Sequence, residues 1–105
     1  MNDEARLIEF IESEVLAFSG VSRFADASLT ENIQVALGLD IPNPSIRISE
    51  DDGKITISIE IIVYYGVNIP QLCYDIQTKV RNNIRELTGL DIKAVNIKVE
   101  GIDKE

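Results

Sequence analysis

Between Lys54 and Val63 every second residue is isoleucine or valine: Ile55, Ile57, Ile59, Ile61 and Val63, with Thr56, Ser58 and Glu60 between them. Side chains alternate across a strand with a period of two, so this stretch reads as a strand buried on one face and wet on the other. Ile46 and Ile48 alternate in the same way with Arg47 and Ser49. Glu50-Asp51-Asp52-Gly53 separates the two runs and reads as a hairpin turn, with Gly53 supplying a positive φ. Near the end of the chain Val95, Ile97 and Val99 point one way and Asn96, Lys98 and Glu100 the other, which predicts a further strand.

Other stretches follow the helical period. Over residues 3–18, Leu7, Ile8, Ile11, Val15 and Phe18 share a face, with glutamates opposite and acidic residues in the first turn, where they suit the helix dipole. Ser19-Gly20 ends that helix, and residues 21–25 are a candidate short strand. A shorter helix is expected over 31–37, with Thr30 as its N-cap, Gly38 as its stop, and Ile33 and Leu37 facing inward. Two prolines make residues 40–44 a loop, short and without the composition of a domain linker. Gly66 breaks the long strand, and Asn68 and Pro70 mark the start of a helix running to about Thr88. Its apolar face is Ile69, Leu72, Cys73, Ile76, Val80, Ile84 and Leu87, and Gly89 fits the left-handed position at its end.

These elements make an α+β fold of two layers. The expectation is a mixed, three- to four-stranded sheet with helices on one face, in the order α-(β)-α-β-β-α-β, and one domain over 1–105. The strand, helix and strand from Lys54 to Ile102 form its centre, with a right-handed crossover if both strands share a sheet. Ile62 and Tyr64 fall on the outer, otherwise polar face and are a candidate contact pair, unless loops or the first helix cover them.

Composition narrows the function classes. At 105 residues and 45% hydrophobic the chain can bury a core. No apolar run reaches the roughly 20 residues of a membrane-spanning helix. The acidic start, Met1-Asn2-Asp3-Glu4, has no basic region of a secretory signal. The one cysteine, Cys73, fits a reducing, cytoplasmic setting. A net charge of −8 repels phosphate backbones and anionic lipids on average. Its distribution is uneven, because Lys79, Arg81, Arg85, Lys93 and Lys98 are half of the ten basic residues. A basic helix face bearing Lys79 and Arg85 is therefore a second candidate surface.

The chain lacks histidine, which removes histidine bases, nucleophile pairs and metal ligands. Cys73 lies on the apolar helix face and reads as a core residue. Glu50-Asp51-Asp52 fails as a calcium loop, because the closing position is Ile61. Glycine-rich phosphate loops and the G-x-x-G clamp of KH-type RNA-binding modules are absent. No catalytic residue, metal site or cofactor is expected.

Tyr65-Gly66, Asn68-Ile69, Gln77 with Val80, Thr88-Gly89 and the strand Val95-Asn96-Ile97-Lys98-Val99-Glu100-Gly101 form one ordered pattern. It resembles the alkaline shock protein family of Gram-positive bacteria and their relatives, over about half of the chain. Gly20-Val21 agrees with the family upstream. The first helix departs from it, carrying Phe10, Ile11 and Phe18 where paired alanines are common. Asp40-Ile41-Pro42-Asn43-Pro44 stands where the family often has a basic stretch. In the resemblance Gly66, Asn68, Gly89 and Asn96 belong to the fold signature. It implies a non-enzymatic cytoplasmic protein of envelope stress or lipid homeostasis, with no direct membrane insertion and no nucleic-acid partner. It would act through protein contacts or homo-oligomers, with a small membrane anchor protein or lipid-synthesis components as partners, and could sit at the inner face of the membrane through such a partner. Two alternatives stand beside it: a KH-like nucleic-acid-binding module, and a small enzyme or ligand-binding regulator.

Overall fold

The structure, a computed structural model, describes residues 2–25 and 43–104. In chain order its elements are α1 (Asn2–Leu16), β1 (Val21–Phe24), β2 (Ile46–Asp51), β3 (Lys54–Tyr64), α2 (Ile69–Thr88) and β4 (Asp91–Asp103). The helix expected over 31–37, with Thr30 and Gly38 at its ends, lies outside the described residues, as do residues 40–42 of the proline loop.

β3 is the axis of the sheet. β2 runs antiparallel along its Lys54–Ile59 half, and β1 runs antiparallel along Ile61 to Val63. β4 runs parallel along the other edge, from Lys54 beside Asp91 to Tyr64 beside Asp103. β1 and β2 therefore share one edge of β3, end to end. They meet at Glu60, whose N–H donates to the Ser45 carbonyl at 3.0 Å and whose carbonyl accepts from the Ala25 N–H at 3.1 Å. The buried Ser45 hydroxyl donates to the Ala25 carbonyl and fastens the two strand ends together. The mixed sheet agrees with the expected fold class, and the candidate strand after α1 is present.

The stripe on β3 is the core. Ile55, Ile57, Ile59, Ile61 and Val63 are at most 4% exposed and share one cluster with Ile8, Ile11 and Val15 of α1 and Leu72, Ile76, Val80 and Ile84 of α2. Both helices thus cover one face of the sheet, and the other face carries Thr56, Ser58 and Glu60. The helical residues recur every three or four positions, which keeps them on one side of a helix with 3.6 residues per turn. A smallest extent of 19 Å matches one sheet and one helix layer.

Local chemistry sets the ends of the elements. Asp52 and Gly53 have φ of 57° and 78°, the two left-handed residues of a type I′ hairpin, so the turn is narrower than the four residues expected. The Asn68 side chain accepts from the Gln71 N–H at 3.1 Å and caps α2, with Pro70 in the first turn. Gly89, at φ 74°, returns its N–H to the Arg85 carbonyl at 2.8 Å. Leu87 differs from expectation: it is 61% exposed. It stands in the last turn of α2, beside an open apolar groove that it shares with Leu7, Ile48, Ile55 and Leu90.

Candidate functional site

The residues singled out in the sequence do not form one surface. Ile62 lies outside the cluster beneath the helices, yet it is only 9% exposed. Its neighbours across the sheet are Arg23 and Gly101, and a Cβ on Gly101 would sit 3.2 Å from Ile62 Cδ1. Ile62 is thus packed against the bare backbone of Gly101 and offers little area to a partner. Tyr64 is half-buried beside Asp103. Lys79 and Arg85 are exposed on α2, in the other layer. Six residues apart, they point about 120° away from each other around the helix. The Lys79 ammonium stands 5.3 Å from the Phe18 ring centroid, at the seam between the helices.

β4 supplies a continuous surface instead. Among the described residues it pairs with β3 alone, so its outer margin is a sheet edge of 13 residues. An edge presents main-chain N–H and C=O groups that a further strand can pair with. The register shows an extra residue in β4 at Lys93 and another at Glu100, and the pairing is regular from Ala94 to Val99. α2 holds the strand in place. Gln77 Nε2 donates to the Val95 carbonyl at 2.9 Å and Arg81 Nη1 to the Ile92 carbonyl at 3.1 Å. Asn96 and Lys98 stand exposed on the outer face, while Ile97 and Val99 are half-buried toward the helices.

Sequence reasoning missed Tyr74 (63% exposed), which lines the groove between α2 and β4 with Gln77, Arg81 and Val95. Helical periodicity marks such a position only as non-core. Tyr65 is also exposed, beyond the end of β3, with the Lys104 ammonium 6.0 Å from its ring centroid.

Among the described residues three surface ion pairs line the outer face and the sheet margins: Arg23 with Asp103 at 3.1 Å, Arg47 with Glu60 at 2.8 Å, and Lys98 with Glu100 at 3.4 Å. Exposed pairs of this kind contribute little to stability. Cys73 is half-buried, and burial pushes its thiol above the ordinary value, which keeps it protonated and a weak nucleophile. Among the described residues no group of acidic side chains and cysteine could hold a metal ion, and no helix is long and apolar enough to cross a membrane. Gly66, Asn68 and Gly89 have local structural work: Gly66 has φ 91° just after β3, and the other two bound α2.

The family model for the alkaline shock protein family, described by its cell envelope-related function, matches residues 6–104. Similar curated proteins include the uncharacterized protein Spy1535 of Streptococcus pyogenes serotype M6, 39% identical over 57 residues. Two from Bacillus subtilis, the uncharacterized proteins YqhY and YloU, are 38% and 33% identical over stretches of the same length. Each match takes in 54% of this chain and 44%, 42% and 48% of the respective relatives, less than half of each. No solved structure matches the chain.

Proposed function

Since the chain belongs to the alkaline shock protein family, of cell envelope-related function, we propose that it is a non-enzymatic protein of envelope stress or lipid homeostasis that works by self-association and by contacts with protein partners. The observation that carries this reading is the margin of β4. Among the described residues β4 pairs with another strand on one side only, and its outer N–H and C=O groups, apart from the Val95 and Ile92 carbonyls that Gln77 and Arg81 already hold, are a template for another strand. Its regular run from Ala94 to Val99 suits antiparallel pairing with a second copy about a two-fold axis at Ile97. Val95 would then face Val99 of the second copy, and Asn96 would face Lys98. No like charges are opposed, and the inward apolar stripe continues from one copy to the next.

The proposed setting is the cytoplasm, at the inner face of the membrane where a partner holds the protein there. Light scattering after gel filtration, over a concentration series, tests self-association. The expected result is a mass that rises with concentration, with slower amide exchange along Ala94–Val99 in the assembled fraction. A strict monomer at the highest concentration, together with affinity purification from the native cell that recovers no envelope or lipid-synthesis component, would sink the reading.

A further inference from the structure

Where β3 and β4 begin, beneath the last turns of α2, lies a cleft of about 330 Å³ lined by Lys54, Arg81, Arg85, Asp91, Ile92 and Lys93. Four cations face one carboxylate there, a surplus of three positive charges in a chain whose net charge is −8. Like charges gathered this closely repel one another unless counter-charge is present. With 18 acidic residues in the chain, counter-charge is plentiful. Elsewhere it is used in part: of the six other basic residues Arg23, Arg47 and Lys98 have a carboxylate partner, and Arg6, Lys79 and Lys104 stand singly rather than gathered in one place. Among the described residues none of the four cleft cations has one within 4.0 Å, including Asp91 beside Lys54.

We propose that this cleft is an anion site that takes a phosphate group, carried by a lipid headgroup or by a small soluble phosphate compound.

The geometry is built from separate elements. Arg81 and Arg85 are one helical turn apart and project from the same side of α2. Arg81 is half-buried and tied by one N–H to the Ile92 carbonyl, so its fork is held in place with other donors to spare. Lys54 opens β3, in register with Asp91. Lys93 is the extra residue of a β4 bulge, a feature that re-aims a side chain. A basic residue in the last turn of a helix also complements the helix dipole, which would explain Arg85 alone. It does not explain Lys54 and Lys93, which come from strands. Planar guanidinium groups match phosphate oxygens in pairs of hydrogen bonds, and the lysines add point charge. The volume is enough for one headgroup-sized ligand. The site does not depend on the β4 margin, so its test is separate from that of self-association.

Amide spectra of the full chain, titrated with inorganic pyrophosphate at constant ionic strength, should show saturable shifts centred on residues 54, 81–85 and 91–93. A parallel arm measures flotation with phosphatidylcholine vesicles with and without phosphatidylglycerol. Pyrophosphate binding alone assigns a soluble phosphate compound, vesicle binding alone assigns a headgroup, and both together assign the shared phosphate. Arg85→Gln with Lys93→Gln should weaken whichever binding is seen by roughly tenfold or more, as expected for lost charge-assisted hydrogen bonds. Lys54→Gln, a single change at the mouth of a strand, should weaken it in the same direction. Arg47→Gln with Lys104→Gln removes as many charges elsewhere and should leave it intact. Failure of both probes, or binding by the cleft variants equal to that of the natural chain, would overturn the proposal.

Discussion

Asp103 ties the end of β4 to β1. Its Oδ2 accepts from the Ser22 hydroxyl at 2.7 Å and from Arg23 Nε at 3.1 Å. The Ser22 hydrogen bond first, and then Arg23, hold its carboxyl below the ordinary value. A carboxyl with a depressed folded-state pKa binds fewer protons folded than unfolded. Its contribution to stability is therefore complete above the unfolded value, about 3.9, and is lost as pH falls through the folded value. Asp103→Asn should lower the urea midpoint at neutral pH, and the gap from the natural chain should close as the solution is acidified through that window. A gap of constant size at every pH would show that the carboxylate charge plays no part. Gly101, two residues earlier, acts through what it lacks, since the missing Cβ is what lets Ile62 lie against the β4 backbone.

The helix α2 shows how far an element can be read from its residues. Its start at Asn68, its end at Gly89 and its buried row of Leu72, Ile76, Val80 and Ile84 all follow from spacing and capping chemistry. Leu87 does not, because periodicity reports which side of a helix a residue occupies and not whether anything lies beneath it. The same limit hid the packing of Ile62. Alternation placed Ile62 on the outer face correctly, but its packing depends on which residue of β4 stands beside it, and that register is set across a 20-residue helix. The basic cleft was half legible: Arg81, Arg85 and Lys93 are close in sequence, whereas Lys54 joins them only through the parallel pairing of β3 and β4. For the helix itself, Gly89→Ala forces a side chain into the left-handed region and should cost about 1–2 kcal/mol. Chemical denaturation would measure it, and an unchanged midpoint would mean that the end of α2 has no set conformation.

At the scale of the whole molecule the sheet has one hub. Among the described residues β1, β2 and β4 each pair with β3, and none of the three pairs with another. Neither helix could bury its apolar face without the β3 stripe, which supplies five members of the shared cluster. The α+β layering was readable because that stripe is long and unbroken. The sharing of one edge by β1 and β2 was not, because no residue pattern records where along β3 a distant four-residue strand will stop.

This hub also orders events in time. β2 and β3 are joined by a two-residue turn and can close as a hairpin in roughly microseconds. β4 can dock once α2 has brought it back to the free edge. β1, four residues long and paired with β3 at three positions, repays the least of the entropy of closing its loop. The assembly sequence is then hairpin, crossover, and β1 last. Kinetic analysis of Ile57→Val and Val21→Ala should return a high φ-value for the first and one near zero for the second. The reverse order would place the nucleus at the pairing of β1 with β3.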